Sequence, residues 1–281
     1  TTYLYPVSLA SIVKLVVNLV GSPARTIRIT GLLWHSLPAR TPGTSPLRMF
    51  VLLGLGVLLG RACKARGIDH VHVHSCADAA NIAMFANAFS GLNYSLTLHN
   101  PLHVWGGNQK NKWRHAAFGI AITDWILLDA QRQLDSALPS RMLIAPMGVN
   151  VDVFQRKTAY RPATDGPTHI FSCARLNPAK GFTVLLEAIR LLRDAGNQVT
   201  LTIAGEDDDG GTGYRRVLEQ LISELSLEKL VVLLGAVPEE RVRSELEAAH
   251  VFVLASFEEP LGVAIMEAMS MEVPVVATRA G

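Results

Sequence analysis

From residue 67 onward the chain alternates between two hydrophobic periods, and that alternation narrows its fold more than any other feature. Residues 68–74, 94–98, 119–122 and 142–145 read as short strands, and 78–89, 113–117 and 125–134 carry helical spacing between them. A polar stretch at 157–168 (KTAYRPATDGPT) then breaks the pattern with Pro162, Gly166 and Pro167, as a linker or domain edge does. The alternation resumes with strands at 170–173, 199–204, 231–234, 251–255 and 273–277, and helices at 181–195, 214–225, 239–248 and 263–271. Strands joined through helices pair in parallel, so the expected class is α/β with two doubly wound parallel-sheet domains. They are placed at residues 1–150 and 151–281. The first residue is not Met and the last strand stops just before Arg279-Ala280-Gly281. The first domain is therefore expected to be incomplete at its N-terminus and the second at its C-terminus.

Nearly half of the residues are apolar (49%) and 18% are charged, which supports large cores and excludes a disordered chain. The formal charge is +2, and Lys and Arg form no stripe interleaved with aromatics, so no nucleic-acid partner is expected. Cys63, Cys76 and Cys173 lie far apart, which argues against a disulfide framework or zinc knuckle and for a reducing cytoplasm. Residues 12–20 form an apolar stretch broken by Lys14 and Asn18; residues 49–60 form another that ends at Arg61, Lys64 and Arg66. Neither reaches the roughly 20 apolar residues of a spanning helix. A buried helix and a helix docked on a membrane surface both stay open.

Chemistry concentrates where strands of the second domain end, because ligands bind outside the carboxyl ends of an open parallel sheet. Arg175 and Lys180 share one loop between a strand and a helix. A fork, a point charge and a helix start together suit a diphosphate, although a solvated basic loop reads equally from spacing. Gly205 follows another strand and permits close approach of a ligand to the backbone. The Asp and Gly residues at 207–213 read as a flexible surface turn, since consecutive Asp207 to Asp209 do not fit an EF-hand. Glu259 lies in the loop leaving the strand at 251–255, and Glu267 lies about a turn and a half into the following helix. The N–H groups from Leu261 through Gly262 and Val263 to Ala264 form that helix's anion-binding start.

These segments together resemble the donor half of a retaining GT-B glycosyltransferase of family 4 (group 1 glycosyltransferases), over residues 142–281. The family's Glu-x7-Glu motif is matched by Glu259 and Glu267, and its usual continuation by Glu267-Ala268-Met269 and Pro274 to Thr278. Its Gly-Arg-Leu-x-x-x-Lys-Gly motif is matched by Arg175-Leu176 and Lys180-Gly181, with Ala174 in place of Gly. An interdomain signature appears as Pro146, Gly148, Val149, Asn150, Asp152 and Phe154. Pro260 departs from the family's Glu-Gly-Phe-Gly and removes one backbone N–H.

The resemblance implies two Rossmann-like domains facing a cleft. It implies transfer of a hexosyl unit from a UDP- or GDP-sugar to a hydroxyl acceptor with retention, in polysaccharide or glycolipid biosynthesis, with no metal or other cofactor. Arg175 and Lys180 would hold the diphosphate, Glu267 the ribose hydroxyls and Glu259 the donor sugar, with the loop after Gly235 near the base. In the first domain His99 would face the donor sugar, with His103 as competitor. His70, His72 and His74 alternate on one strand face, as three zinc ligands or as a satisfied strand face. A lipid-linked or saccharide acceptor and peripheral contact at the inner face of the cytoplasmic membrane are implied as well. A non-catalytic nucleotide-sugar-binding fragment, a GT-B nucleotide-sugar isomerase and a zinc hydrolase are the alternatives.

Overall fold

In the computed structural model, residues 23–164 and 166–281 are described, and the apolar stretch at 12–20 lies outside them. The chain divides into two compact units, which part between Pro146 and Met147.

The first unit begins with helices α1 (Pro23–Ser36) and α2 (Pro46–Ala65). Ser45 caps α2 by accepting the Leu47 N–H, and Pro46 occupies the first turn, where no N–H is needed. The apolar run at 49–60 is the middle of this 20-residue helix. By length and composition α2 could cross a membrane, yet half of its most apolar window is buried within the protein. It lies along α3 (Asp78–Ser90), and the approach depends on glycine. A Cβ on Gly56 would stand 2.6 Å from that of Phe85, and one on Gly60 would stand 2.5 Å from the Ser90 hydroxyl.

Strands β1 (His70–Val73), β2 (Asn93–Leu98), β3 (Phe118–Ala121) and β4 (Met142–Ile144) form a parallel sheet in that order. Helices α3, α4 (Gln109–Arg114) and α5 (Asp124–Leu134) connect them. Helix α4 starts and ends earlier than the periodicity at 113–117 predicts. Asn108 opens it in a left-handed conformation (φ 63°), and the Ala117 N–H is drawn off to the Tyr94 carbonyl at the sheet.

Beneath α4 the Lys112 side chain is 1% exposed, and its ammonium donates to the Cys76 carbonyl at 2.7 Å. Burial lowers its pKa from 10.5 to about 8, against a smaller upward pull from Cys76 and Asp78.

The second unit holds a parallel sheet ordered β7-β6-β5-β8-β9. Its strands are β5 (Thr168–Cys173), β6 (Val199–Ala204), β7 (Val231–Gly235), β8 (Val251–Leu254) and β9 (Val275–Ala277). Alternating side chains of β5 feed two cores. Ile170 meets Leu185, Leu186 and Ile189 of α6 (Phe182–Asp194), together with Leu218 and Ile222 of α7 (Tyr214–Glu224). Phe171 meets Phe252, Leu246 of α8 (Glu239–Ala248) and Ala268 of α9 (Val263–Ser270). The sheet is covered on both faces, as a doubly wound unit requires.

The polar stretch at 157–168 belongs to this unit. Arg156 donates to the carbonyls of Leu246, Glu247 and Met271, satisfying the ends of two helices. Lys157 N–H, Thr158 N–H and the Thr158 hydroxyl all donate to the Glu247 carboxylate.

The buried Lys112 has a signed consequence. The unfolded chain keeps this proton up to about pH 10.5, while the folded chain releases it near 8, so stability rises with pH across that window. Above about pH 9 the buried Cys76 thiol, pushed up to about 12, opposes the rise. Wild type should therefore gain on the order of 3 kcal/mol relative to Lys112→Met between pH 8 and 10.5 in urea unfolding. A difference that stays flat with pH would contradict it.

Candidate functional site

In the second unit the chain runs from β5 outward through β6 to β7, then crosses back to lay β8 on the other side of β5. The order reverses between β5 and β8, and a crevice opens at the carboxyl ends of such neighbours. The loops leaving these two strands carry Arg175 and Lys180 on one side and Glu259 on the other.

The first loop closes in a single 3-10 turn, Pro178–Lys180, ending at Gly181 (φ 65°). A Cβ on Gly181 would stand 1.9 Å from the Ala255 carbonyl oxygen, so the turn is pressed against the end of β8. The Phe257 N–H donates to the Ala179 carbonyl at 2.7 Å and stitches the two loops together. Lys180 Nζ reaches Glu259 Oε2 at 2.7 Å, and the buried Ser256 hydroxyl donates to the same oxygen at 3.0 Å. Arg175 is exposed and pairs with Asp208 at 3.2 Å.

Behind the Glu259 loop runs the chain after β9. Glu259 N–H donates to the Ala280 carbonyl, and the Thr278 hydroxyl donates to that of Ser256. Gly262 (φ 74°) opens α9, and the N–H groups of its first turn have no intrahelical acceptors. Glu267 follows on this helix, half-buried; burial raises its pKa, and the Glu239 carboxylate adds to the rise. A carboxylate so placed has strong demand for hydrogen-bond donors.

Gly205 N–H donates to the Gly235 carbonyl, bringing the two glycines together at the ends of β6 and β7. Gly205 has φ 138°, and a Cβ there would stand 1.9 Å from the Ala174 carbonyl oxygen. Sequence reading missed Arg215, which joins Glu206 at 3.0 Å, Glu219 at 2.9 Å and the Leu233 carbonyl at 3.1 Å. Its i,i+4 spacing to Glu219 was a visible signal; its reach to Glu206 was not.

The loop at 207–213 differs from the flexible turn expected of it. The Asp207 carboxylate accepts the N–H groups of Asp209, Gly211, Gly213 and Arg215, which fold the loop around it. These bonds, that from Arg215 foremost, hold its carboxyl below the usual range.

In the first unit, His70 and His72 share a sheet face with Ser95 and Thr97. The His72 ring bridges the Ser95 and Thr97 hydroxyls at 2.6 and 2.7 Å, and His70 reaches Ser95 at 2.8 Å. His74 Nδ1 lies 3.2 Å from His99 Nε2, with the rings stacked. Burial lowers the pKa of both His72 and His99, and their histidine neighbours add to it. Among the described residues no three His, Cys, Asp or Glu side chains converge as a metal site.

Residues 155–281, within the second unit, match the family described as glycosyl transferases group 1. The amylovoran biosynthesis glycosyltransferase AmsK of Erwinia amylovora is 34% identical over 141 residues, which are 48% of this chain and 33% of that protein. The chain thus spans about a third of this relative's length. Among solved structures, sucrose-phosphate synthase from Thermosynechococcus elongatus superposes with a TM-score of 0.69 at 20% identity, over 83% of this chain and 61% of that one. Anabaena HepE, in complex with UDP and glucose, gives 0.65 at 22% identity, over 80% of this chain and 62% of the other. The α/β fold with two parallel sheets is therefore that of GT-B glycosyltransferases.

Replacing Gly205 with Ala forces a Cβ onto the Ala174 carbonyl. The variant should lose about 1–3 kcal/mol in urea unfolding; an unchanged midpoint would refute so tight an approach.

Proposed function

We propose that this protein transfers a hexosyl unit from a nucleotide diphosphate sugar to a hydroxyl acceptor, with retention at the anomeric carbon, in polysaccharide or glycolipid biosynthesis. One observation carries the reading: Arg175 and Lys180 leave β5 beside the Glu259 to Glu267 pair that brackets the start of α9, all at the carboxyl end of one sheet. Two cations and a helix N-terminus can stabilise a departing diphosphate, which is where negative charge grows as the glycosidic bond breaks. Glu267, short of donors in its half-buried position, suits the paired hydroxyls of a ribose. Glu259 stands where it can accept from sugar hydroxyls. Pro260 removes one N–H, so phosphate contacts fall to Leu261, Gly262 and Val263. The UDP bound by HepE and the biosynthetic role in the name of AmsK support a nucleotide-sugar donor and a saccharide product. The part assigned to His99 rests on the resemblance alone.

Peripheral contact at the cytoplasmic face of a membrane belongs to the same proposal. Leu47, Phe50 and Val51 stand exposed on one side of α2, whose far end carries Arg61 and Lys64. Apolar side chains beside basic ones suit shallow insertion among anionic head groups.

UDP- or GDP-sugars should raise the melting temperature, and Lys180→Ala and Glu267→Ala should each abolish that rise. Undiminished shifts in both variants would sink the donor site. If transfer retains configuration, the product of the full-length enzyme will show the donor's anomeric configuration by NMR. Cosedimentation with anionic vesicles should weaken at high salt and on Phe50→Asp; equal binding to neutral vesicles would contradict the electrostatic part.

A further inference from the structure

Lys180 and Glu259 are paired with each other, and the pair is built from both sides. Their side chains are only 19% and 16% exposed. The Phe257 to Ala179 backbone bond fixes the spacing of the two loops, and the Ser256 hydroxyl, on a residue 1% exposed, steadies the same carboxylate oxygen. The neighbouring Arg175–Asp208 pair is 64% and 78% exposed, so water and salt screen it and a ligand displaces it at little cost. Lys180 therefore meets any incoming phosphate already neutralised, while Arg175 is easily freed.

We propose that Glu259 competes with the diphosphate for Lys180 and thereby makes the site discriminate a nucleotide sugar from the free nucleoside diphosphate. This rests on the donor-site reading above. A phosphate oxygen that takes Lys180 must displace the Glu259 carboxylate, which keeps only the Ser256 hydroxyl as donor. A nucleotide sugar brings hydroxyl groups that can donate to the displaced carboxylate. A free nucleoside diphosphate has only its ribose hydroxyls, which this reading places at Glu267, and brings none beyond the diphosphate, so it bears the displacement uncompensated. Once sugar has left, Glu259 returns to Lys180 and weakens the hold on the product. Glu259 in this role is a specificity-determining residue, and its effect is read as a ratio of affinities.

The test is calorimetric titration of wild type, Glu259→Gln and Ser256→Ala with UDP, GDP, UDP-glucose and GDP-mannose. Glutamine cannot neutralise Lys180, so Glu259→Gln should bind the accepted free diphosphate about fivefold more tightly. Its preference for the sugar form over the diphosphate should fall by at least the same factor. Ser256→Ala, which loosens the carboxylate without removing it, should move the ratio in the same direction by less. If Glu259→Gln binds the free diphosphate no better than wild type, while Lys180→Ala still loses both ligands, the competition is overturned and the donor site stands. If wild type binds none of the four, or Lys180→Ala binds as wild type does, the donor site itself fails and the competition with it.

Discussion

The pairing of β5 with β6 on one side and β8 on the other decides where chemistry can occur in this protein. Because the chain reverses direction across the sheet at β5, two loops distant in sequence emerge side by side. Everything at the site follows from that adjacency. Lys180 of one loop faces the Glu259 carboxylate of the other, and Gly181 is needed because the two backbones nearly touch. Phe171 and Phe252, edge to face at 6.0 Å, pack adjacent strands of this pair into the core beneath. A register slip there would move both loops and every charged group they carry.

Electrostatics divides the second unit's carboxylates into two kinds. Asp207 is saturated with backbone donors, and its work is to shape a loop. Glu267 is burdened by burial and by Glu239. The first kind stabilises its own surroundings; the second raises the value of any donor that arrives. Residue type alone does not separate them, since Asp207 in a loop and Glu267 on a helix are both acidic residues between two strands.

Much of the fold was legible in the sequence. The runs at 199–204 and 239–248 coincide with β6 and α8: β6 buries alternate residues, and α8 is anchored by the buried Leu246. The α4 region was misread because its Trp113 to Ala117 stretch looks helical locally, while the sheet edge takes the Ala117 N–H. The four motif residues Arg175, Lys180, Glu259 and Glu267 could be read as a group from their resemblance. Their pairing could not, because Lys180 and Glu259 lie 79 positions apart. The triple histidine strand was ambiguous for the same reason. The hydroxyls that satisfy His70 and His72 sit on the next strand, at Ser95 and Thr97, and nothing in the His-x-His-x-His spacing announces them.

The segment after β9 gives the Glu259 loop an order that is borrowed. Its backbone is tied to Ala280 and its Ser256 carbonyl to Thr278, so its position is inherited from a three-residue strand at the rim of the sheet. Edge strands that short open at a fraction of the global unfolding free energy. Fraying of β9 would unmoor the loop while the two cores remain intact. The most charged part of the site would then share the lifetime of the weakest strand beside it.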